Sequence, residues 1–154
     1  MIRPCTEEDI PQITELEKLC FPICWQEKDF RYELKENPYS HNFVEEEDGK
    51  IVAFGGLWVI FERGEVTKIS VHPEKRREGR GQRMLQKLID TAEENGCEYL
   101  FLEVRPSNTA ALQLYRKNEF QDLRIKSDYY ADHEDALEMI RILGGEAVEE
   151  DSGD

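Results

Sequence analysis

The stretch from residue 69 to residue 120 constrains the fold more than any other part of the chain. It begins with the segment Ile69-Ser70-Val71 and continues through the basic, glycine-containing turn Arg76-Arg77-Glu78-Gly79-Arg80-Gly81. Apolar residues after the turn share one face at helical spacing: Met84, Leu85, Leu88, Ile89 and Ala92. Tyr99 to Val104 then predicts a strand buried on both faces, and a second helix follows to about Asn118. The order is strand, turn, helix, strand, helix.

Further strands are predicted on either side of this unit. Asp48-Gly49 separates residues 42–47 from 51–60 and favours the tight turn of a hairpin. The remaining predicted segments are a first strand at 2–3, helices at 10–20 and 26–36, a strand at 65–71, and closing strands at 120–127 and 137–142. Strands early and late around a strand-helix-strand middle predict an α/β (α+β) fold, a mixed sheet with helices on both faces.

Length and charge limit the class of protein. The chain has 154 residues, enough for one ordinary domain, which we predict over residues 1–143. Residues 144–154 hold five acids and no base, and predict a disordered tail. The net charge of −14 argues against nucleic acid as the main partner and is compatible with a basic protein substrate or with solubility alone.

The sequence shows no sign of a membrane span or a secretion signal. No apolar run approaches the roughly 18 residues of a spanning helix, and Met1 to Lys18 carries acids without an apolar core. We therefore expect a soluble, cytoplasmic protein that does not bind membranes.

Metal ligands and disulfides are not predicted. Four cysteines, Cys5, Cys20, Cys24 and Cys97, fit neither a zinc pattern nor a small secreted scaffold, so we expect reduced thiols. The three histidines are scattered, and none has a second ligand at helical spacing.

The basic turn predicts a site for a phosphorylated cofactor. Glycines let the backbone come close to a ligand, and a helix that begins there presents unpaired N–H groups with a partial positive charge. The two glycines also begin a dinucleotide-binding fingerprint, but Met84 stands where its third glycine belongs. A solvated basic face explains the turn equally well, so the turn alone does not decide the function.

Glu103 and Tyr115 are the two candidate proton-handling groups. Glu103 lies in an otherwise apolar strand, where burial raises a carboxyl pKa towards that of a useful base. It is equally compatible with a salt bridge to Arg105 or another arginine, or with an exposed strand end. Tyr115 fits a core tyrosine or a proton donor, and Asn108 fits a helix cap or a contact to an amide-containing ligand.

At this point the chain resembles the GNAT superfamily of acyl-CoA-dependent N-acetyltransferases. The resemblance rests on the cofactor motif Gln/Arg-x-x-Gly-x-Gly/Ala, which is Arg76-Arg77-Glu78-Gly79-Arg80-Gly81 in this chain. More narrowly, the chain is similar to the RimI type, the bacterial ribosomal-protein N-terminal alanine acetyltransferases. That similarity is carried by Ile69 to Pro73, Leu102 to Asn108, Ala111, Leu114-Tyr115 and Asp128-Tyr129-Tyr130.

The resemblance implies a single-domain GNAT fold, with a mostly antiparallel sheet of about seven strands and acetyl-CoA in a cleft between two splayed strands. Ile69, Ser70 and Val71 would bind pantetheine through backbone groups, and Asn108 would touch the same arm. The pyrophosphate would rest on amides from Arg77 to Gln82. Glu103 would be the general base and Tyr115 the general acid for the CoA thiolate; no metal is implied.

The resemblance also implies how the acceptor is held. The apolar loop with Phe21, Pro22, Ile23 and Trp25 would form one wall for a protein N-terminus, and Tyr129 with Tyr130 the other. The chain departs from the family pattern at Ile23-Cys24-Trp25, where the loop is longer, and at Asn118-Glu119-Phe120, where glycine often precedes the phenylalanine.

The implied function is acetyl transfer from acetyl-CoA to the N-terminal α-amine of a protein, the N-terminal alanine of a small-subunit ribosomal protein. The partner would be a basic ribosomal protein, not nucleic acid. Two alternatives remain: a GNAT enzyme for lysine or a small amine, and a CoA-binding module without turnover.

Overall fold

The computed structural model describes residues 1–144. Residues 145–154, which make up most of the predicted acidic tail, lie outside the described residues. The domain boundary at residue 143 therefore stays a prediction.

The described chain forms seven strands and four α-helices. The strands are β1 (Ile2–Pro4), β2 (Ser40–Glu47), β3 (Lys50–Ile60), β4 (Arg63–Val71), β5 (Tyr99–Val104), β6 (Gln121–Lys126) and β7 (Ala136–Ile142). The helices are α1 (Ile10–Cys20), α2 (Glu27–Lys35), α3 (Arg80–Glu94) and α4 (Thr109–Lys117), with short 3-10 turns at Glu7–Asp9 and Pro73–Lys75.

The seven strands form one mixed sheet in the order β1-β2-β3-β4-β5-β7-β6. Strands β4 and β5 are parallel and are paired over three positions, from Arg63 with Tyr99 to Glu65 with Phe101. The pairs β1–β2, β2–β3, β5–β7 and β6–β7 are antiparallel. A mixed, mostly antiparallel sheet of seven strands was predicted from the sequence, and it is confirmed.

By backbone contacts the chain divides into two compact units. The first, here the N-terminal unit, comprises residues 1–58 and 66–90; the second, the C-terminal unit, comprises residues 59–65 and, of the described residues, 91–144. The N-terminal unit has a core of residues from α1, α2, β2 and β3: Ile10, Ile13, Leu16, Phe30, Val44, Ile51 and Phe54. Phe30 lies at its centre, with its ring 5.2 Å from Trp25 and 5.5 Å from Phe54.

Helix α3 packs directly on β3 because Gly55 has no side chain. A Cβ atom at Gly55 would lie 2.6 Å from Met84, which is completely buried. The basic turn leads into α3, so the helix that begins there is held close to β3. At its other end the helix is followed by Gly96 with φ +82°, the left-handed cap that the sequence predicts.

Strand β5 is less buried than predicted. Leu100, Leu102 and Val104 are buried on one face, but Tyr99 is 38% exposed, and Phe101 and Glu103 are only partly buried on the other. The expectation of burial on both faces was wrong, because the second face carries charged groups rather than a second apolar layer.

Candidate active site

The basic turn of the N-terminal unit leads into the start of α3. Gly79 has φ +80° and Arg77 φ +66°, both in the left-handed region. The N–H of Arg83 donates to the carbonyl of Gly79 at 3.0 Å. The amides of Arg80 and Gly81 come before this helical hydrogen bond, so they are helix N-terminal groups of the kind that bind anions.

The side chain of Arg80 is paired with three carboxylates. It is 10% exposed, and its guanidinium forms ion pairs with Glu45 at 2.7 Å, Glu47 at 2.9 Å and Glu78 at 3.0 Å. The charge of this arginine is therefore compensated by acids of the protein itself. The sequence did not reveal this arrangement, because Glu45 and Glu47 come from β2, more than 30 residues away in the chain.

The end of β4 holds the three residues predicted to bind pantetheine, Ile69, Ser70 and Val71. Ser70 is buried, and among the described residues its hydroxyl has no hydrogen-bond partner. The carbonyl of Val71 accepts from Nε of Arg76 at 3.0 Å, which draws the first arginine of the turn back towards the strand.

A buried ion pair holds the apolar loop between α1 and α2. Glu17, 1% exposed, lies 2.9 Å from the Lys68 ammonium, and its Oε2 also accepts from the backbone N–H of Trp25 at 3.2 Å. The Lys68 ammonium lies 4.6 Å from the ring centre of Phe21 and 4.8 Å from that of Trp25. The loop is thus tied to β4 by charge and by two cation–π contacts.

The four loop residues predicted to bind the acceptor have different surroundings. Trp25 packs against Phe30, and Phe21 is half-buried beside Lys68. Pro22 is exposed and Ile23 is 49% exposed. Pro22 and Ile23 are therefore the loop residues that solvent, or a ligand, can reach most directly.

In the C-terminal unit, Glu103 is paired with a lysine rather than with an arginine. The ammonium of Lys126, in β6, lies 2.7 Å from Oε2 of Glu103, whose side chain is 11% exposed. Arg105, the partner that the sequence suggested, instead forms ion pairs with Asp132 and Glu134, both at 2.9 Å. Glu103 thus forms the salt bridge that the sequence allowed as an alternative to a catalytic role, and the pair is partly buried.

Glu65 is a residue of this site that the sequence did not indicate. It lies in β4 opposite Phe101, within hydrogen-bonding reach of Glu103. Burial, together with the charge of Glu103, raises the pKa of Glu65 to about 7. Its sequence surroundings, Gly64-Glu65-Val66, look like any partly exposed strand position, so no local signal marks it.

Tyr115 is a buried residue of α4. Its ring lies 5.8 Å from that of Phe120 in an edge-on contact. Burial, and to a smaller extent the neighbouring Tyr130, raises its pKa to about 12. Asn108 caps the same helix, since its Oδ1 accepts from the N–H of Ala111 at 3.1 Å. Both structural alternatives, core tyrosine and helix cap, are present, and neither excludes a role in chemistry.

Tyr129 and Tyr130 lie in the β6–β7 loop and contact each other edge-on, with ring centres 4.9 Å apart. The guanidinium of Arg105 lies 4.1 Å from the ring centre of Tyr130. Glu134 of the same loop accepts from the N–H of Ser107 at 3.1 Å, and Arg105 holds the pKa of the Glu134 carboxyl below its usual value. The tyrosine loop is thereby fixed to the segment that joins Glu103 to Asn108.

Within residues 1–144 no group of three or more metal-ligating side chains is present. In the same range, no helix is long and apolar enough to cross a membrane.

Comparison with known proteins identifies relatives over nearly the whole chain. The model of the acetyltransferase (GNAT) family matches residues 10–120. A Bacillus subtilis protein, provisionally named a [ribosomal protein bS18]-alanine N-acetyltransferase, is 36% identical over 139 residues, 90% of this chain and 92% of the relative. The Escherichia coli (strain K12) enzyme named [ribosomal protein bS18]-alanine N-acetyltransferase is 34% identical over 134 residues, 85% of this chain and 89% of the relative.

A solved structure supports the same relationship. The crystal structure of the ribosomal-protein-S18-alanine N-acetyltransferase from Escherichia coli superposes with a TM-score of 0.84 at 33% identity, covering 92% of each chain.

The buried ion pair yields a first prediction. Glu17→Met keeps the length of the side chain but leaves the Lys68 ammonium without its carboxylate, so we expect the free energy of unfolding to fall by about 3–5 kcal/mol. Glu15→Gln is the matched control, because Glu15 lies on the same helix in an exposed pair with Lys18 and should cost no more than about 1 kcal/mol. Denaturant unfolding measures both; equal losses would mean that the buried pair does not stabilise the loop.

Proposed function

We propose that this chain, which belongs to the acetyltransferase (GNAT) family, transfers the acetyl group of acetyl-CoA to the N-terminal alanine of a small-subunit ribosomal protein. The observation that carries the proposal is its identity of 34% to 36% with two relatives named for that reaction, over 85% to 90% of this chain. The reaction would take place in the cytoplasm.

The chemistry of the acceptor agrees with an α-amine. An amine must be neutral to attack the thioester carbonyl, and an α-amino group has a pKa of about 8, against about 10.4 for a lysine side chain. A base of moderate strength is therefore enough to leave an α-amine neutral near pH 7. The net charge of −14 would favour the approach of a basic protein.

The cofactor site we propose consists of backbone groups. The amides from Arg77 to Gln82, in the turn and at the start of α3, would hold the pyrophosphate, and Ile69 to Val71 with Asn108 would hold pantetheine. The left-handed φ of Gly79 fits such a close approach, and a Cβ there would lie 3.3 Å from Arg83. When bound, acetyl-CoA supplies the activated acetyl thioester.

Glu103 is the base in this proposal, and its largely buried position, with a side chain that is 11% exposed, supports the role. The carboxylate receives the proton that leaves the attacking amine, directly or through water. Lys126 orients the carboxylate, since its ammonium lies 2.7 Å from Oε2. The acceptor would be positioned by side chains of two loops: Phe21, Pro22, Ile23 and Trp25 of the apolar loop, and Tyr129 and Tyr130 of the β6–β7 loop.

Tyr115 is the candidate general acid for the leaving sulfur. Its pKa of about 12 keeps the phenol protonated at neutral pH, whereas a thiol has a pKa of about 8.5. Complete transfer of the proton from the phenol to the thiolate is therefore unfavourable. We expect the hydroxyl to stabilise the developing negative charge on sulfur mainly by donating a hydrogen bond.

The proposal is tested by acetyl-CoA consumption with mass-mapped products. The acceptors are peptides that copy the N-termini of small-subunit ribosomal proteins, each offered with a free and with an acetylated N-terminus. Acetylation at the α-amine of an alanine-starting peptide, absent from its blocked form, is the expected result. Lysine acetylation in both forms would keep the enzyme class and overturn the acceptor, and CoA binding without transfer to any amine would favour a binding module.

Replacement of the base tests its role. Glu103→Gln removes the proton acceptor but keeps the shape of the side chain, so turnover should fall by about 10²- to 10⁴-fold while acetyl-CoA affinity is nearly unchanged. Steady-state kinetics and calorimetric titration measure the two quantities. Glu94→Gln, at the exposed end of α3, controls for the lost charge. An equal loss of cofactor affinity and turnover in Glu103→Gln would remove the base assignment.

Replacement of the acid tests the hydrogen bond to sulfur. Tyr115→Phe keeps the edge-on contact with Phe120 and removes only the hydroxyl, and we expect turnover to fall by about 10²-fold. Tyr99→Phe makes the same change at a partly exposed position of β5 and should leave turnover unchanged. Wild-type turnover in Tyr115→Phe would show that another group, or water, serves the thiolate.

The turn is tested by a charged side chain at Gly79. Gly79→Glu blocks the backbone approach and adds a negative charge beside the pyrophosphate, so CoA affinity should fall by about tenfold or more. Gly96→Glu is the matched control, because Gly96 has nearly the same left-handed φ, +82° against +80°, and lies beyond the other end of α3. Both variants carry similar backbone strain, so comparable CoA affinity in the two would refute the role of the turn.

A further inference from the structure

One face of the sheet in the C-terminal unit carries three carboxylates side by side. Glu65 lies opposite Phe101 in the β4–β5 pairing, and Glu103 is two residues further along β5, so both point to the same face. Glu138 is the β7 partner of Glu103. The registers of three neighbouring strands thus bring together acids that are 38 and 35 residues apart in sequence, from 65 to 103 and from 103 to 138.

The cations on this face are unevenly shared among the three acids. Glu138, 1% exposed, has three of them, Arg124 at 2.7 Å, Lys126 at 3.6 Å and Arg63 at 3.9 Å. Glu103 has Lys126 at 2.7 Å.

Glu65 has the weakest charge compensation. Within the described residues 1–144, its one ion pair is with Arg63 at 3.8 Å. That guanidinium is 45% exposed and is shared with Glu138 and with the ring of Phe101, whose centre lies 3.7 Å away. The side chain of Glu65 is itself only 25% exposed.

Two carboxyl groups within hydrogen-bonding reach titrate as a pair rather than separately. Ionising the second one places like charges side by side, so it holds its proton to a higher pH. Burial and the charge of Glu103 act in this direction on Glu65 and raise its pKa to about 7, against the attraction of Arg63 and Lys126. Tyr129 also faces this group, near Glu103, Lys126 and Glu65.

We propose that Glu65 is a positioning residue for acetyl transfer, which acts through Glu103: the two side chains form one carboxyl pair that receives the proton of the acceptor amine. This rests on the base role given to Glu103 in the proposed function. As the new N–C bond forms and the C–S bond breaks, the sulfur leaves as the CoA thiolate, and the proton leaves nitrogen and is held between the two carboxyl groups. It passes to solvent before the next turnover, and the fully ionised pair is the active form.

The pairing has a consequence for pH dependence. Because burial and the charge of Glu103 make Glu65 hold its proton to a higher pH, the pair loses its last proton above the ordinary range of a glutamate. Turnover of the wild type should therefore fall on the acid side with an inflection near pH 7. In Glu65→Gln the inflection should move down by at least about one pH unit, and the plateau should fall by roughly three- to tenfold, because the remaining base is weaker.

The experiment is the pH profile of kcat for the wild type and Glu65→Gln, with one alanine-starting peptide. The ionisation of the peptide amine is common to both enzymes, so a difference between the profiles belongs to the protein. Glu94→Gln removes an exposed charge and should give the wild-type profile. An unmoved acid inflection in Glu65→Gln, whatever happens to its plateau, would overturn the proposal and leave Glu65 a structural residue.

Carbon-13 NMR of glutamate carboxyl groups provides a readout that does not depend on turnover. We expect a carboxyl resonance that titrates near pH 7 in the wild type, is absent from Glu65→Gln, and moves to lower pH in Glu103→Gln. Independent titration of the two groups at ordinary glutamate values would refute the pair even if peptides are acetylated. Coupled titration without any acetylated peptide would uphold the pair and count against the proposed function.

Discussion

The cost of burying negative charge is the constraint on which the rest of this structure depends. The chain carries 34 acidic residues against 20 basic ones, and several of its carboxylates are almost completely buried, among them Glu17, Glu45 and Glu138. An isolated buried charge is strongly unfavourable, so each of these needs a cation or several hydrogen bonds. Lys68, Arg80 and Arg124 supply them. These ion pairs fix the positions of the basic side chains. The candidate site contains the groups that remain around them.

Arg80 shows how such an ion pair changes the role that a sequence motif predicts for a residue. In the sequence it is one of several arginines that suit a phosphorylated ligand. In the structure the guanidinium of Arg80 is paired with Glu45, Glu47 and Glu78, so the side chain anchors the start of α3. The anion site that we propose at this turn therefore consists of backbone amides, and the left-handed φ of Gly79 suits the close backbone approach that such a site needs.

The acids of the C-terminal unit also need compensating cations, but three neighbouring acids have unequal numbers of them. Glu138 has three cations, Glu103 has one, and Glu65 shares an exposed arginine. Charge compensation thus decreases across one sheet face from Glu138 to Glu65, and the carboxyl pair that we propose consists of the two acids with less compensation. Family membership alone would not locate such a pair, because one scaffold serves many acceptors and the chemistry lies in particular side chains.

Much of the fold was predictable because its signals are local. The hairpin at Asp48-Gly49, the helical face that contains Met84 and Leu88, and the left-handed cap at Gly96 each follow from a few neighbouring residues, and each is present. The order of the elements predicted a mixed sheet, and the family resemblance predicted about seven strands; both are confirmed. The family motifs likewise named Glu103, Tyr115 and the turn as candidates, and these assignments stay predictions.

The sequence by itself thus determined the elements, the family and the candidate residues, since each depends on short-range patterns or on a motif that can be read directly. Only the tertiary structure decided the partners. Lys126 rather than an arginine pairs with Glu103, Glu45 occupies Arg80, and Glu65 lies beside Glu103. These pairings depend on strand register and on contacts between residues more than 20 positions apart, and because charge interactions fall off with distance and vary with burial, no local pattern specifies them.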